Sequence, residues 1–325
     1  MVSRQKESGG RCTGMIFPRS FDSMGQERDW RVLLTHAGRH TRKRNGNIPG
    51  GEMMVDISGF VNKTLEAINN PPIVTQHRPY LGMSKIGHSC NRYLWYSFRW
   101  CYSTTLSRRQ MRLFARGHRE EDIVIEELKR IGIEVTDQQK GGELAFGHAK
   151  FHCDGICKGV LEAPKTDHLF ECKTMNDKAF KAIKKEGLKR SKPVYYAQCQ
   201  IYMKKLKLTR ALFVSVNKND DDIYIERVKL DPGFANDLER KAEYIVLQSE
   251  PPPKEFAPSW YECKWCDAQQ ICHFQKEVDM NCRTCEYVDL HNEGIWKCGK
   301  LDKILSTERQ RIGCDKYSVL PCLKP

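Results

Sequence analysis

Between residues 151 and 174 the chain reads FHCDGICKGVLEAPKTDHLFECKT, which places Asp154 ahead of a Glu171-Cys172-Lys173 run. Side chains on a strand alternate between its two faces, so Glu171 and Lys173 share one face and Cys172 takes the other. Two carboxylates beside a lysine are the groups that metal-assisted phosphodiester hydrolysis requires. Carboxylates hold a hard cation such as Mg²⁺ or Mn²⁺, which keeps several of its waters. The cation polarises a phosphoryl oxygen and lowers the pKa of a bound water. A lysine can position that water or offset the negative charge that develops. Asp, Glu and Lys are common on any surface strand, so the set alone is weakly informative. Its neighbours sharpen it: Phe170 and Cys172 alternate with Glu171 as on a strand with one buried face, and Gly155 suits a close backbone approach.

Two amphipathic helices stand beside this set. Over residues 111–131, Val124, Leu128 and Ile131 recur with helical period, and Glu121 leads the stripe that runs through Val124/Ile125 to Leu128. Over residues 193–207, Tyr195, Gln198 and Tyr202 lie on one stripe, next to an apolar stripe of Tyr196, Cys199, Met203 and Leu206. A glutamine facing the catalytic strand can hydrogen-bond a phosphate or a water, although a half-exposed helical glutamine is the plainer reading of Gln198.

The chain holds 15 cysteines, an odd number that suits metal ligation better than a disulfide framework. Cys263, Cys266 and Cys272 fall within ten residues after a proline-rich break. A closed tetrahedral zinc site or a [4Fe–4S] cluster needs a fourth sulfur. Cys90 is the candidate for it and Cys101 the rival. Further on, Cys282-x2-Cys285-x12-Cys298-x15-Cys314 has the layout of a ribbon-type zinc site, with Cys322 able to replace Cys314. That short tail has too few apolar residues to fold alone, so metal binding would supply its folding energy. Cys153, Cys157, Cys172 and Cys199 read as core residues. Trp296, Lys297 and Lys300 are placed to touch DNA, or else Trp296 packs the hairpin.

These residues must be carried by elements the pattern outlines. Helices are expected over 55–70, 84–99, 111–131, 193–207 and 233–249, and strands over 143–147, 151–158, 167–174, 210–217 and 222–229. The sequence has 325 residues, 54 Lys and Arg against 41 Asp and Glu, and a net charge of +13, which favours an anionic partner. Residues 1–52 hold ten basic and five acidic residues without a sustained period, and read as a disordered basic leader. No apolar run approaches the roughly 18 residues of a membrane span, and no secretory signal opens the chain.

Taken in order, a helix with G-x-x-x-E (Gly117 to Glu121), H-x-D-G (His152 to Gly155), E-x-K (Glu171 to Lys173) and Q-x-x-x-Y (Gln198 to Tyr202) resemble the PD-(D/E)XK nuclease superfamily. The resemblance spans about residues 81–275 and is closest to the RecB-like branch, with its CRISPR-associated iron–sulfur exonucleases and phage recombination exonucleases. It implies an α/β, restriction-endonuclease-like core, a mixed β-sheet flanked by helices, over residues 53–275. A cysteine-rich, zinc-ribbon-like metal-binding module would follow over 276–325. It further implies Asp154 and Glu171 as ligands of Mg²⁺ or Mn²⁺, Lys173 as the catalytic lysine, and Gln198 and Tyr202 as the Q-x-x-x-Y pair. Glu121 sits where relatives carry a metal-binding His or Glu; His118 is offset from that position. Cys90, Cys263, Cys266 and Cys272 match the branch's cluster ligands, which clip the two ends of the core together. The expected activity is exonucleolytic cleavage of DNA, single-stranded or at duplex ends, in the bacterial or phage-infected cytoplasm, alongside recombination or repair partners. Arg92, Tyr93, Trp95 and Arg99 would stack on or neutralise the entering strand. The rival is a catalytically inactive nucleic-acid-binding scaffold with structural metal sites, which the filled acidic and lysine positions argue against.

Overall fold

The structure is a computed structural model and describes residues 57–75 and 77–324. The leader expected over 1–52 lies outside them. Helix α1 (Ile57–Asn69) ends where Pro71 and Pro72 cannot continue the helical hydrogen bonds. Strands β1 (Ile73–Thr75) and β2 (Leu81–Gly82) follow. The helix expected over 84–99 is shorter: Met83–Lys85 form one 3-10 turn, and α2 covers Asn91–Phe98. Cys90 caps α2, its Sγ accepting from the Tyr93 amide at 3.4 Å. After β3 (Thr104–Leu106), which pairs with β1, helix α3 (Arg108–Arg130) begins three residues before its apolar stripe suggests. Ser107 and Gln110 hold its first turn through a reciprocal capping box.

Strands β4 (Glu134–Thr136), β5 (Gly141–Leu144), β6 (Ala149–His152), β7 (Gly155–Lys158) and β8 (His168–Met175) come next. The single strand expected over 151–158 is broken at Cys153 and Asp154. Cys153 pairs with the loop at Gln139 and Lys140, which turns β6 into a three-stranded sheet of order β2-β6-β5. β7 enters a different, five-stranded sheet. Asp154 therefore stands at the corner between two sheets rather than inside a strand.

No element is expected between residues 175 and 192, yet a 15-residue helix, α4 (Asp177–Ser191), fills it, capped by Asn176 and kinked at Gly187. α5 (Pro193–Leu206), β9 (Arg210–Asn217), β10 (Ile223–Lys229) and α6 (Pro232–Leu247) complete the body. The five-stranded sheet has the order β10-β9-β8-β7-β4. β8 and β9 run parallel, joined by the α4–α5 crossover, and the other pairs are antiparallel. Strand alternation then builds two cores. Phe170, Cys172, Leu212, Val214 and Val216 pack against Val124 and Leu128 of α3. Leu169, Met175, Ala211 and Phe213 face the opposite way, into a larger cluster with α2, α5 and α6.

Helices α7 (Tyr261–Lys264) and α8 (Gln269–Phe274) carry the first cysteine group. Strands β11 (Val288–Leu290), β12 (Trp296–Cys298) and β13 (Lys303–Ile304) form an antiparallel sheet, followed by α9 (Thr307–Ile312). Trp296, Leu305 and Leu323 belong to the same apolar cluster as Phe98 and Phe151. The hairpin turn of this C-terminal segment rests on the β5–β6 turn, where the Gly294 amide donates to Phe146 O at 2.9 Å. Gly147 and Gly294 both have positive φ, and a Cβ built on Gly147 would fall 2.5 Å from the Gly294 nitrogen. Among the described residues no helix is long and apolar enough to cross a membrane.

Candidate active site

β8 directs Glu171 and Lys173 toward α5, on the face opposite Cys172. Asp154, just before β7, accepts the Cys172 amide at Oδ2 (2.9 Å), taking over where the β7–β8 ladder ends. Lys173 Nζ donates to Glu171 Oε1, lies 3.6 Å from Asp154 Oδ2, and donates to Cys172 O at 3.0 Å. Gln198 Nε2, from α5, donates to the same Glu171 Oε1 at 2.5 Å. The Tyr195 ring lies 5.8 Å from Lys173 Nζ. Gln198 is buried rather than half-exposed, because α5 is covered on all sides.

Burial pushes the Glu171 carboxyl up to about 8; Lys173 opposes the rise, and the charges of Asp154 and Glu121 add to it. Glu121, half-buried on α3, is raised to about 7 by burial and by Asp154, against Lys173. Burial disfavours the Lys173 ammonium, but Glu171 and Asp154 outweigh it and hold the lysine charged. Three carboxylates thus share one lysine, and the ammonium between Glu171 and Asp154 is their counter-charge. Glu171 is 0% exposed, and its Oε2 is buried with no hydrogen-bond partner. A buried acceptor left unpaired costs about 1–3 kcal/mol, more when charged. An orphaned carboxylate oxygen whose group feels the charges of two further carboxylates suits a hard cation, so the donor types fit Mg²⁺ or Mn²⁺. Among the described residues, however, no three His, Cys, Asp or Glu side chains already stand grouped closely enough to hold an ion.

Tyr202 is buried on the next turn of α5, its ring 5.0 Å from that of Phe151. Its hydroxyl pKa is raised by burial and by Glu171, and it also feels Lys173, Asp154 and Arg78. Separately, a cavity of about 370 Å³ is lined by residues that include His77, Arg78, Tyr80, Ser84, Lys85 and Tyr102. Sequence reasoning missed Arg78 and Lys85. The segment from Arg78 to Lys85 (RPYLGMSK) offers two basic residues and one aromatic with no helical or strand period to single them out. His118 is exposed on α3.

Each cysteine group lines a cavity of its own. Cys90, Cys263, Cys266 and Cys272 surround one of about 20 Å³, and Cys282, Cys285, Cys298 and Cys314 surround another of the same size. Burial raises the Cys266 thiol to about 11, and Cys90 and Cys263 push it the same way. Cys282 is likewise raised by burial, with Cys285, Cys314 and Cys298 adding to it. Cys101 is wholly buried away from the first cavity, and Cys322 points to Ser249 O at 3.9 Å rather than into the second. Cys153, Cys157, Cys172 and Cys199 are all buried.

Two of the four residues expected to meet DNA are in the core. Trp95 is 0% and Arg99 3% exposed. Both donate to Gln248 O, at 2.9 and 3.2 Å, so they tie α2 to the end of α6 and cannot stack on a strand from there. Arg92 and Tyr93 are partly exposed. Arg92 donates to Pro252 O at 2.7 Å and Tyr93 receives Lys85 Nζ at 3.2 Å. Trp296 is 1% exposed and packs the hairpin, which removes it as a DNA contact. Lys297 pairs with Asp302, and Lys300 donates to Tyr287 at 3.1 Å.

No family model matches this chain, and no curated protein matches it. Among solved structures it is similar to the crystal structure of SSO0001, at 19% identity over 67% of this chain and 96% of that one, with a TM-score of 0.37. It is also similar to an alkaline exonuclease, LHK-Exo, from Laribacter hongkongensis. There the identity is 17% over 52% of this chain and 87% of that one, with a TM-score of 0.37. The complex of LHK-Exo with dAMP aligns at 15% identity over 52% and 86% of the two chains, with a TM-score of 0.34.

Proposed function

We propose that this chain is a divalent-cation-dependent DNA exonuclease that hydrolyses phosphodiester bonds in recombination, repair or DNA processing. The observation that carries the reading is Glu171 Oε2, buried and unpartnered beside Lys173 and Asp154 at the corner of two sheets. Asp154, Glu171 and Glu121 would hold Mg²⁺ or Mn²⁺, which supplies Lewis-acid polarisation of the scissile phosphate. Gln198 fixes the rotamer of Glu171 through Oε1. Lys173 keeps its proton at Nζ and offsets the negative charge that builds on the phosphate. Tyr202 excludes water behind the carboxylates. The cavity bearing Arg78 and Lys85 receives the DNA strand, with Arg92 and Tyr93 further along α2. Charged side chains of this kind supply the salt-dependent part of DNA affinity.

The two cysteine sets support resident metal groups. Cys90, Cys263, Cys266 and Cys272 would hold a [4Fe–4S] cluster, or zinc in its place, and Cys282, Cys285, Cys298 and Cys314 a zinc ion. The placement of each set of four along one cavity favours Cys90 over Cys101 and Cys314 over Cys322 as the fourth ligand, with a closing movement of the thiols still needed to hold an ion. A time course on end-labelled single- and double-stranded DNA with Mg²⁺ or Mn²⁺ tests the activity. Progressive shortening from an end supports it; intact DNA with both cations refutes it.

A further inference from the structure

The wall of the 370 Å³ cavity that carries Arg78 is held from behind by its backbone. Three consecutive carbonyls are each gripped by a different side chain. His77 O accepts from Arg311 Nη2 at 2.8 Å, Arg78 O from Trp100 Nε1 at 2.9 Å, and Pro79 O from Arg283 Nη2 at 2.7 Å. The three donors form one stack, since the Arg283 and Arg311 guanidinium carbons lie 3.8 and 4.5 Å from the centre of the Trp100 ring. Arg283 also donates to Phe98 O at 2.9 Å and to Gln310 Oε1 at 2.8 Å, and Asn281 donates to Trp100 O at 2.9 Å.

This arrangement is costly and specific. Arg283 is 1% exposed and has no carboxylate partner among the described residues; burial, with Arg99 and Arg311 nearby, drives its pKa well down. A buried guanidinium is tolerated when its donors are satisfied, and here they reach carbonyls and an amide oxygen. An apolar side chain could fill the same space without that penalty. What it could not do is fix the carbonyls behind a cavity wall. On the cavity side, Gly82 leaves room for the Arg78 head: a Cβ there would lie 3.2 Å from Arg78 Nη1. Arg78 is thus set by its backbone and by the space left for its guanidinium.

We propose that the C-terminal segment clamps the substrate cavity, with Arg283 and Arg311 as positioning residues that act through the carbonyls of residues 77–79 on the placement of Arg78. Both arginines sit close to the second cysteine set: Arg283 follows Cys282 directly, and Arg311 lies three residues before Cys314. Reading the cavity as a DNA site rests on the proposed nuclease function; the clamp itself does not.

The test uses the full chain with Arg311→Met and Trp100→Phe, which each remove one carbonyl donor and keep most of the side chain's volume. Hydrogen exchange of the peptide spanning residues 77–85 should speed up in both variants, with exchange in α5 unchanged. KM for DNA should rise, by at most about fivefold, the full worth of one hydrogen bond, while kcat stays within about twofold. Combining Arg311→Met with Arg78→Ala should add little to the KM defect of Arg78→Ala alone, and Arg311→Lys should restore part of the loss. Unchanged exchange at 77–85 overturns the clamp. So does a fully additive double variant, or a loss confined to kcat. A wild-type chain that neither binds nor cleaves DNA refutes the nuclease reading, and the exchange data then decide the clamp alone.

Discussion

Gln198 and Lys173 donate to one and the same oxygen of Glu171, Oε1, and leave Oε2 without a partner. The glutamine comes from α5 and the lysine from β8 itself, so Glu171 is fixed from a helix and a strand at once. Gln198→Ala should release that carboxylate and lower activity or cation affinity about 10- to 100-fold, the range for residues behind a metal ligand. Cleavage rate against Mg²⁺ concentration measures it; an unaltered titration would remove Gln198 from the site.

Lys173→Ala should abolish cleavage and also lower stability. Its ammonium is the counter-charge of a carboxylate with no exposure, and breaking a buried pair by removing one partner costs about 3–5 kcal/mol. Protonation of Glu171 limits that loss. Thermal melts should show a lower Tm, with the far-ultraviolet circular dichroism of the native protein retained. Full activity in the variant would sink the assignment of Lys173.

The contribution of Glu121 to the stability of the protein without divalent cations should fall on raising the pH. Glu121 holds its proton better folded than unfolded, because its folded pKa is raised from 4.5 to about 7. That contribution is complete below the ordinary pKa and is lost as the pH rises through about 7. Millimolar Mg²⁺ should flatten the slope. Tm measured from pH 4 to 8 with Mg²⁺ and with chelator checks this, and parallel curves would refute it.

Metal content should follow the cavities. Anaerobically purified protein should contain iron and acid-labile sulfide, or zinc, in the first set, and lose it in Cys90→Ala but keep it in Cys101→Ala. Cys314→Ala should lower the zinc of the second set, whereas Cys322→Ala should not. Elemental analysis of the four variants separates the ligands, and equal metal in all four would reject both sets.

Much of the central sheet was legible because it is made of buried strands with plain alternation. Phe170 and Cys172 face α3 while Glu171 and Lys173 face α5, as strand parity requires. The break at Asp154 was not legible, since it depends on Cys153 pairing with Gln139 and Lys140 in a loop that has no local signal. α4 escaped for a different reason: its lysine-rich sequence offers only Phe180, Ile183 and Leu188 to the core, and Gly187 interrupts the period. Trp95, Arg99 and Trp296 looked like DNA contacts by composition. Only long-range partners, Gln248 for the first two, reveal them as interior residues. Arg78 was hidden because its position is set by Trp100, Arg283 and Arg311, which lie far along the chain from it.

The contact between Gly147 and Gly294 joins two turns main chain to main chain. Beyond the glycines themselves, the joint carries side-chain information at His148, whose ring Nε2 meets His291 O at 2.7 Å. The other residues around it are free to drift so long as neither glycine acquires a Cβ. In a library of all single substitutions, these two positions should stand out as intolerant islands within otherwise permissive loops. The C-terminal segment would then be inherited with the body as a single unit, and grafting it onto an unrelated protein would transfer its cysteines without its seat.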